Sequence, residues 1–461
     1  MMDKGSRDKP SKGGCLTSSV LVVMSLAIAS CVNATTSELM TISPELGTQN
    51  ASAPLRVRDV AKEPNLTPIV VSTLNSQAAI VEAAEQVRVR FANVEEAKAQ
   101  YFPQVSVGVA SNLIGSGSAS PQLTLKGSQM LYDFGRTDRG VSRDVHQAQL
   151  AHLSFLDAVD SDLTEMLRLL AEFESQSKQL KLGNDRLARM VELGNLVKRR
   201  SAEGVMDGND LIEAKRRVQT AETLLIRAKL ALSSSSRDIE SETGVDIGSS
   251  ESGLDIASLT CGEDPIKFDT LTSVQRAAME LRVAKLDAKN AETERMPTLS
   301  LEASTSYDLS NASNNNSGMT LRLEGALFRG GAVKSRIKAA SRSVSAAEAS
   351  LRGARSEAQR DQARALDAVK TQKVITKALL SQSALLDETR KLYLNQFLEL
   401  GTKTIDDVLD AEEEYHQNLL DIELTRKELA IEKINCLAAE GRTRRFLGVE
   451  NSFLHGLALK Q

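Results

Sequence analysis

The sequence predicts a mainly α-helical protein that carries two pairs of short β-strands and is built from two copies of one structural repeat. Three observations lead to this fold class. Proline, which costs about 3 kcal/mol inside a helix, is absent between residues 122 and 264 and again after Pro297. Near the start of each proline-free tract lie two short segments in which apolar and polar residues alternate. The same order of features occurs in both halves of the chain.

The composition limits the classes of function. The 57 Lys and Arg residues nearly balance 61 Asp and Glu residues in 461 positions, so the chain lacks the basic footprint of a nucleic-acid-binding protein. Its four histidines show no metal-ligand spacing, and nucleophile-elbow, phosphate-loop and dinucleotide motifs are absent. We therefore predict a protein that is not an enzyme and needs neither metal nor cofactor. Four cysteines are few for this length, so we expect no disulfide framework.

The N-terminus predicts export. Four basic residues precede an apolar run at 16–30 that is too short and too rich in serine for a membrane span, and we predict a signal peptide at 1–30. The run ends in Ile28-Ala-Ser-Cys31, which resembles the lipobox of bacterial lipoproteins and makes Cys31 a candidate for lipidation. Val32-Asn-Ala34 offers an alternative site for ordinary signal peptidase.

In each half, an alanine-rich helix is followed by a proline that opens a strand. The strands begin Pro103-Gln-Val-Ser-Val and Pro297-Thr-Leu-Ser-Leu, and each is followed by a Gly/Ser/Asn-rich loop and a second alternating segment. About ten residues is the length of a tilted strand that crosses a membrane. The helices are predicted at about 72–100 and 270–295, and the strand pairs at 102–134 and 297–328.

The landmarks of the two halves keep their register. Pro297 follows Pro103 by 194 residues, Gly331 follows Gly135 by 196, and Gly401 follows Gly204 by 197. Duplication of one unit explains this spacing. Four strands leave edges that lipid does not tolerate, so a membrane pore made of them requires several copies of the chain.

Very long helices follow the strands. After Gly331 the apolar and alanine positions have the 4-3 spacing of a coiled-coil seam. A helix from 333 to about 398 would be about 100 Å long, and 138–200 repeats this length in the first half. The seam positions are 333, 337, 340, 344, 347, 351, 354 and 358.

Each long helix is predicted to end at a glycine-marked turn, at Gly204 and Gly401. A shorter helix then returns, at about 208–242 and 404–441. Each half therefore ends in an antiparallel helical hairpin that projects away from its strands. The predicted segments are a signal peptide at 1–30, an N-terminal linker at 31–70, a first repeat at 71–260, a second repeat at 261–447 and a C-terminal tail at 448–461.

This plan resembles the TolC family of outer-membrane factors across nearly the whole mature chain. The segment Gly401-Thr-Lys-Thr-Ile-Asp-Asp-Val-Leu-Asp410-Ala is similar to the family's tip turn and the start of its return helix. Its counterpart from Gly204 to Ala214 is a weaker match in register. Leu131-Tyr-Asp-Phe-Gly135 is similar to the family's junction between strand and helix.

The resemblance implies a homotrimer whose twelve strands form a β-barrel in the lipid of the outer membrane. A long antiparallel coiled-coil α-barrel would continue it through the periplasm. The implied partners are a periplasmic adaptor (membrane fusion) protein and an inner-membrane ABC or proton-driven transporter, and the channel itself is passive. The close match of the second-repeat tip turn to channels used in protein secretion favours type I protein secretion. A lipidated Cys31 is instead typical of multidrug or metal efflux. A periplasmic coiled-coil structural or adaptor protein is the alternative from another class.

The resemblance also implies a periplasmic gate at the turns. By position, Lys403 matches the family's basic gate residue and Asp210 the acid it pairs with, while Asp407 and Asp410 match acids that ring the constriction. The sequence departs from the family pattern at two positions. Lys403 stands in place of the usual arginine, which makes planar two-point contacts, and Leu398 stands in place of an aromatic residue.

The residues alone also indicate a gate, because acids clustered at two turns repel one another, raise one another's pKa and attract cations. We interpret Asp207 and Asp406 differently, as ordinary residues of helix N-termini. Gly204, Val205, Gly401 and Thr402 are the predicted contacts of the adaptor.

Overall fold

A computed structural model describes residues 66–110, 121–244, 259–262, 267–309, 315–326 and 328–460. The predicted signal peptide, Cys31 and the alternative cleavage site lie outside these residues, as does most of the predicted N-terminal linker. Among the helices of the described ranges, none combines the length and the apolar character needed to cross a membrane.

The order of elements confirms the predicted pair of repeats. Each half has a helix, two strands and a long helical hairpin. The first half contains α1 (Leu66–Ser76), α2 (Ala78–Ala99), β1 (Gln104–Ala110), β2 (Gln122–Tyr132), α3 (Arg136–Ala202) and α4 (Gly208–Thr243). The second contains a 3-10 turn (Phe268–Thr270), α5 (Thr272–Thr293), β3 (Thr298–Asp308), β4 (Asn315–Glu324), α6 (Ala332–Asn395), a π-helical turn (Gln396–Leu400) and α7 (Ile405–Ala439).

The two longest helices are α3, with 67 residues, and α6, with 64. At 1.5 Å per residue, each is about 100 Å long. The predicted seam of α6 is confirmed, since its positions are half-buried from Val333 to Ala354 and buried at Ala358. The seam continues through Ala365 and Val369, which are buried.

The four strands form one antiparallel sheet in the order β1-β2-β3-β4. Val107 lies opposite Leu125, which lies opposite Thr305, and this face carries apolar side chains at most of its paired positions. The other face carries the charged residues, where Lys126 and Arg322 contact Glu302 at 3.4 and 2.9 Å. The sheet is therefore sharply two-faced, and β1 and β4 are its edges.

The main hydrophobic core surrounds the middle of α3. Phe155, Leu163 and Leu167 are fully buried there, packed against α1, α2, α4, the end of α7 and the C-terminal segment. That segment forms a short helix α8 (Thr443–Phe446) and a hairpin of β5 (Phe453–Leu454) and β6 (Leu457–Ala458). The predicted tail is thus a folded part of the core.

Cys261 and Cys436 form a disulfide across 175 residues of sequence. The sequence led us to expect no disulfide framework, and this single bond was not predicted. Nothing in the local spacing of either residue indicates the bond, because the fold brings distant segments together. The other two cysteines lie outside the described residues.

The junction between β2 and α3 is fixed by a buried carboxylate. Asp133 accepts hydrogen bonds from the backbone N–H groups of Arg136, at 3.1 Å, and Thr137, at 2.6 Å. These are two of the donors that a helix N-terminus leaves without partners. The chain turns sharply here, since Phe134 and Gly135 both have positive φ, of 58° and 73°.

We expect Asp133→Ala to loosen this junction by about 1 kcal/mol, the usual cost of losing a capping side chain. Hydrogen–deuterium exchange of the peptide that spans 134–140 should become about fivefold faster. Asp367→Ala is the matched control, because Asp367 is 79% exposed and pairs with Lys370 of its own helix. Equal exchange in both variants would contradict the role of Asp133.

Candidate functional site

The tips of the two helical hairpins share one hydrophobic cluster, here called the tip cluster. It joins both repeats, because α3 and α4 supply one side and the π-helical turn and α7 supply the other. Its buried members are Met190, Leu193, Val197, Ala214, Ala221, Phe397, Ile405, Val408 and Leu409. The predicted turns at Gly204 and Gly401 therefore belong to one packed unit.

Arg200, at the end of α3, holds the turn of the second repeat. Its guanidinium donates to the carbonyl oxygens of Phe397, at 3.4 Å, and Leu398, at 3.2 Å. It also lies 4.9 Å from the centroid of the Phe397 ring. These bonds satisfy acceptors that the end of a helix leaves free. The sequence had no signal for this contact, which links residues almost 200 positions apart.

An aromatic residue does fill the tip, one position before the place where the resemblance implies it. Phe397 is buried, whereas Leu398 is 38% exposed. The π-helical turn over Gln396–Leu400 accounts for the difference, because its wider ladder changes the direction of each side chain relative to an α-helix.

Lys403 contacts its own turn in the single chain. Its Nζ lies 3.4 Å from Oδ1 of Asp407 and 3.9 Å from the centroid of the Tyr393 ring. The predicted pair of Lys403 with Asp210 stays a prediction. Asp210 lies in the first turn of α4, where its backbone N–H donates to the Asp207 side chain at 3.0 Å.

Asp407 also caps the N-terminus of α7, through a capping box with Thr404. The Asp407 carboxylate accepts from the Thr404 backbone N–H at 2.9 Å, and the Thr404 hydroxyl accepts from the Asp407 N–H at 3.2 Å. Hydrogen bonds from the backbone N–H and the hydroxyl of Thr404 hold the pKa of Asp407 below its ordinary value, and the contact with Lys403 lowers it further. Threonine followed three residues later by an acid is a readable capping pattern, and it was missed.

Asp207 and Asp406 lie where a helix N-terminus was predicted. Asp207 caps α4 by accepting from the N–H groups of Asn209 and Asp210, and these bonds lower its pKa. Asp406 lies in the first turn of α7. Burial, and then the charges of Glu213, Asp210 and Asp410, raise the pKa of Asp406. The expected mutual repulsion of the acids is thus present at Asp406, whereas hydrogen bonds reverse it at Asp207 and Asp407.

Asp410 is bound by an arginine of the other repeat. Arg217 on α4 lies 2.6 Å from Oδ1 of Asp410 and also contacts Glu413 and Glu213. Glu413 in turn accepts from Arg186 on α3 at 3.1 Å. A chain of ion pairs therefore connects α3, α4 and α7 beside the tip cluster, and part of the charge of Asp410 is neutralised.

A second group of charges is buried between α3, α6 and α7. Glu412 is fully buried and accepts from Arg189, at 2.7 Å, and from Arg390, at 3.2 Å. A buried carboxylate must be paired in this way, because removing one partner typically costs 3–5 kcal/mol. His416 lies one turn further along α7 and is 6% exposed. Neither of its ring nitrogens has a hydrogen-bond partner among the described residues.

The predicted adaptor contacts are accessible. Gly204 and Gly401 have positive φ, of 77° and 61°, as these tight turns require. Val205 is 67% exposed beside Gly204, and Thr402 is exposed beside Gly401. Their role as contacts of an adaptor stays a prediction.

The comparisons with known proteins point to one family. The sequence pattern that defines the family described as outer membrane efflux protein matches residues 69–245 and 272–441. The two matched segments coincide with the two halves of the fold. No curated protein sequence matches the chain.

Solved structures share the fold. A membrane protein from Pseudomonas aeruginosa is 18% identical with a TM-score of 0.71, and the match covers 82% of this chain and 90% of that one. CusC is 16% identical with a TM-score of 0.74, over 82% and 92% of the two chains. The open state of the MtrE outer membrane channel from Neisseria gonorrhoeae is 15% identical with a TM-score of 0.70, over 82% and 89%.

The buried His416 predicts a pH dependence. Burial lowers its pKa below the ordinary value of 6.5, and the charges that face it are Glu412 on α7, Arg186 and Asp185 on α3, and Arg390 on α6. The folded chain therefore takes up this proton at a lower pH than the unfolded chain. The contribution of neutral His416 to the stability of the folded chain is complete above about pH 6.5 and is lost as the pH falls below that value.

We expect the midpoint temperature of thermal unfolding to be lower at pH 5.5 than at pH 7.5. The variant His416→Gln should reduce this difference. Circular dichroism of the purified protein measures both midpoints. His146→Gln is the control, because His146 is only half-buried and contacts Gln149 on its own helix. If His416→Gln retained the full decrease, the assignment to His416 would be wrong.

Proposed function

The chain belongs to the outer membrane efflux protein family, and from this membership we propose that it is the passive outer-membrane exit duct of a tripartite export system. Proteins of this family are channels, so the chain is not an enzyme, as its sequence predicted. The observation that carries the proposal is the two-faced sheet joined to two long hairpins.

The sheet supports insertion in the outer membrane as a trimer. Val107 and Leu321 are 70% and 62% exposed on its apolar face, which suits contact with lipid. The ion pairs of Glu302 lie on the opposite face, which suits a water-filled interior. The free edges at β1 and β4 each need a partner strand in lipid. Three copies joined edge to edge would give a barrel of twelve strands.

The hairpins support a periplasmic conduit. Helices of about 100 Å project from the sheet, and three copies would continue the barrel as an α-helical tube. The proposed gate is at its free end, formed by Lys403, Asp210, Asp407 and Asp410. The exposed turns at Gly204, Val205, Gly401 and Thr402 would meet the periplasmic adaptor. The first repeat at 71–260 and the second at 261–447 are the proposed structural units.

The proposed location and partners follow from the same plan. A signal peptide at 1–30 would direct export, and lipid on Cys31 would add an anchor in the outer membrane. An adaptor and an inner-membrane ABC or proton-driven transporter would supply cargo and energy, since a passive duct supplies neither.

For cargo, we propose type I protein secretion, because the segment Gly401–Ala411 resembles the tip turn of channels used in protein secretion. Efflux of drugs or metals is the second candidate, favoured by the description of the family itself. A periplasmic rod is the competing class. Trimers that resist heat in outer-membrane fractions would support the duct, and a soluble monomeric rod would contradict it.

We expect Lys403→Ala to increase conductance in planar bilayers, because it removes the contacts with Asp407 and Tyr393 that hold the turn. Asp210→Ala should do the same if the two residues pair between protomers. Lys370→Ala is the matched control, since its side chain is 74% exposed on α6. Unchanged conductance in the Lys403 variant would exclude the gate, and a change in that variant alone would restrict the latch to one turn.

Deleting the gene should separate the two cargo classes. Type I secretion predicts the loss of one or a few proteins from the culture medium with little change in drug tolerance. Efflux predicts lower tolerance of drugs or metal ions with an unchanged set of secreted proteins. Complementation with the wild-type gene and with Lys403→Ala links either effect to this channel.

A further inference from the structure

The disulfide between Cys261 and Cys436 closes one repeat into a covalent ring. Cys261 lies in the segment 259–262 between the two repeats, and Cys436 is fully buried near the end of α7. Their Cα atoms are 6.0 Å apart, a separation usual for disulfides. The ring contains α5, β3, β4, α6, the π-helical turn and most of α7, which is nearly the whole proposed second repeat.

Other contacts hold the same segment in place. The Glu440 carboxylate, whose side chain is 1% exposed, accepts from the Gly262 N–H at 2.9 Å and from Arg442 at 3.0 Å. Leu259 is buried in the main core. Gly262 has a φ of +79°, and a Cβ there would lie 2.5 Å from Cδ2 of Leu366. The disulfide thus lies in a built site, with a buried acceptor and a position that favours glycine.

The two repeats differ in how much core their long helices form. Eighteen of the 67 residues of α3 are buried, whereas α6 buries only Ala358, Ala365 and Val369 among its 64. In the single chain, α6 therefore has far less apolar burial to hold it. The long helix with the smaller core belongs to the repeat that the disulfide closes, and this repeat also carries the turn at Gly401.

We propose that Cys261 and Cys436 are an oxidative modification site that fastens the second repeat, so that the ordered state of its hairpin depends on the bond. Two thiols lose two protons and two electrons as the S–S bond forms. The electrons pass to the disulfide of a thiol–disulfide exchange protein, which is released as a dithiol. The inference rests on the proposed function only for its compartment, since disulfides persist in exported proteins.

The bond stabilises the folded repeat by restricting the unfolded state of the linked chain. Closing a loop of 175 residues removes much of the conformational freedom of the unfolded repeat. The first repeat needs no such closure, because α3 buries its stripe against several helices. Loss of the bond should therefore loosen α6 most, because α6 buries few of its residues, while α3 keeps the main core around it.

The state of the thiols is measured on the full chain purified from outer membranes. The protein is denatured, treated with a maleimide with and without prior reduction, and digested, and the peptides that carry Cys261 and Cys436 are identified by mass spectrometry. We expect one linked peptide pair, lighter by two hydrogens than the two separate peptides, and no alkylation before reduction. Alkylation of both thiols without reductant would overturn the proposal.

A metal site is the rival arrangement. Cys261, Cys436 and Glu440 offer ligand atoms within 4.8 Å of one another, and two thiolates with a carboxylate would suit a soft cation. A chelator added without reductant separates the two arrangements. If the chelator alone released both thiols for alkylation, the pair would be a metal site and the disulfide proposal would be wrong.

The role of the bond is tested by limited proteolysis of Cys261→Ser/Cys436→Ser. Thr260→Ser is the matched control, because it changes the same segment and keeps both thiols. Cleavage within α6 should become about tenfold faster in the double variant, with a much smaller change in α3. Equal cleavage in wild type, control and double variant would contradict the proposed role of the disulfide.

The location of the chain separates this proposal from the proposed function. A chain found in the outer membrane with free thiols would contradict the disulfide alone. A linked chain that never reaches the outer membrane would contradict the proposed function and leave the disulfide standing. Wild-type alkylation decides the first question even if the double variant fails to accumulate.

Discussion

The structure depends on the burial of one very long helix. A helix of about 100 Å cannot hide its apolar stripe against itself, so other helices must run along it for its whole length. In this protein α3 is that helix. Its middle forms the main core with α1, α2, α4, α7 and the C-terminal segment, and its far end supplies Met190, Leu193 and Val197 to the tip cluster. In the second repeat, the seam of α6 packs against the start of α5, where Leu351, Ala354 and Ala358 form a cluster with Leu271 and Val274.

The tips combine apolar packing with a dense set of charges. The tip cluster fixes the two turns together, and the ion pairs of Arg217, Asp410 and Glu413 lie beside it. Glu412 is buried between two arginines, which is tolerable only while both remain in place. A region built in this way is rigid as long as its pairs are complete and sensitive to any change in charge. That combination suits the proposed gate, which must hold and yet be released by a partner.

Much of the fold could be predicted from the sequence because its signals are local and repeated. Glycine turns, proline-free tracts and the 4-3 seam predicted α3 at 138–200 and α7 at 404–441, and the structure has them at Arg136–Ala202 and Ile405–Ala439. The contacts of Arg200 with Phe397, of Arg217 with Asp410, and of Cys261 with Cys436 carry no local signal, because each joins segments more than 170 residues apart. The capping box of Thr404 and Asp407 was readable, but the prediction for Asp407 preferred the pore to a helix cap.

The free strands at both edges of the sheet have a consequence for inheritance. In the proposed trimer, β4 of each protomer would pair with β1 of the next, so every protomer would form part of two junctions and the ring would close only if all three were sound. A cell that made intact and edge-damaged chains in equal amounts would, by random mixing, form wholly intact rings about one time in eight. Damage to an edge strand would then be genetically dominant, whereas a mutation that simply prevented folding would remove its own product from the pool and be recessive.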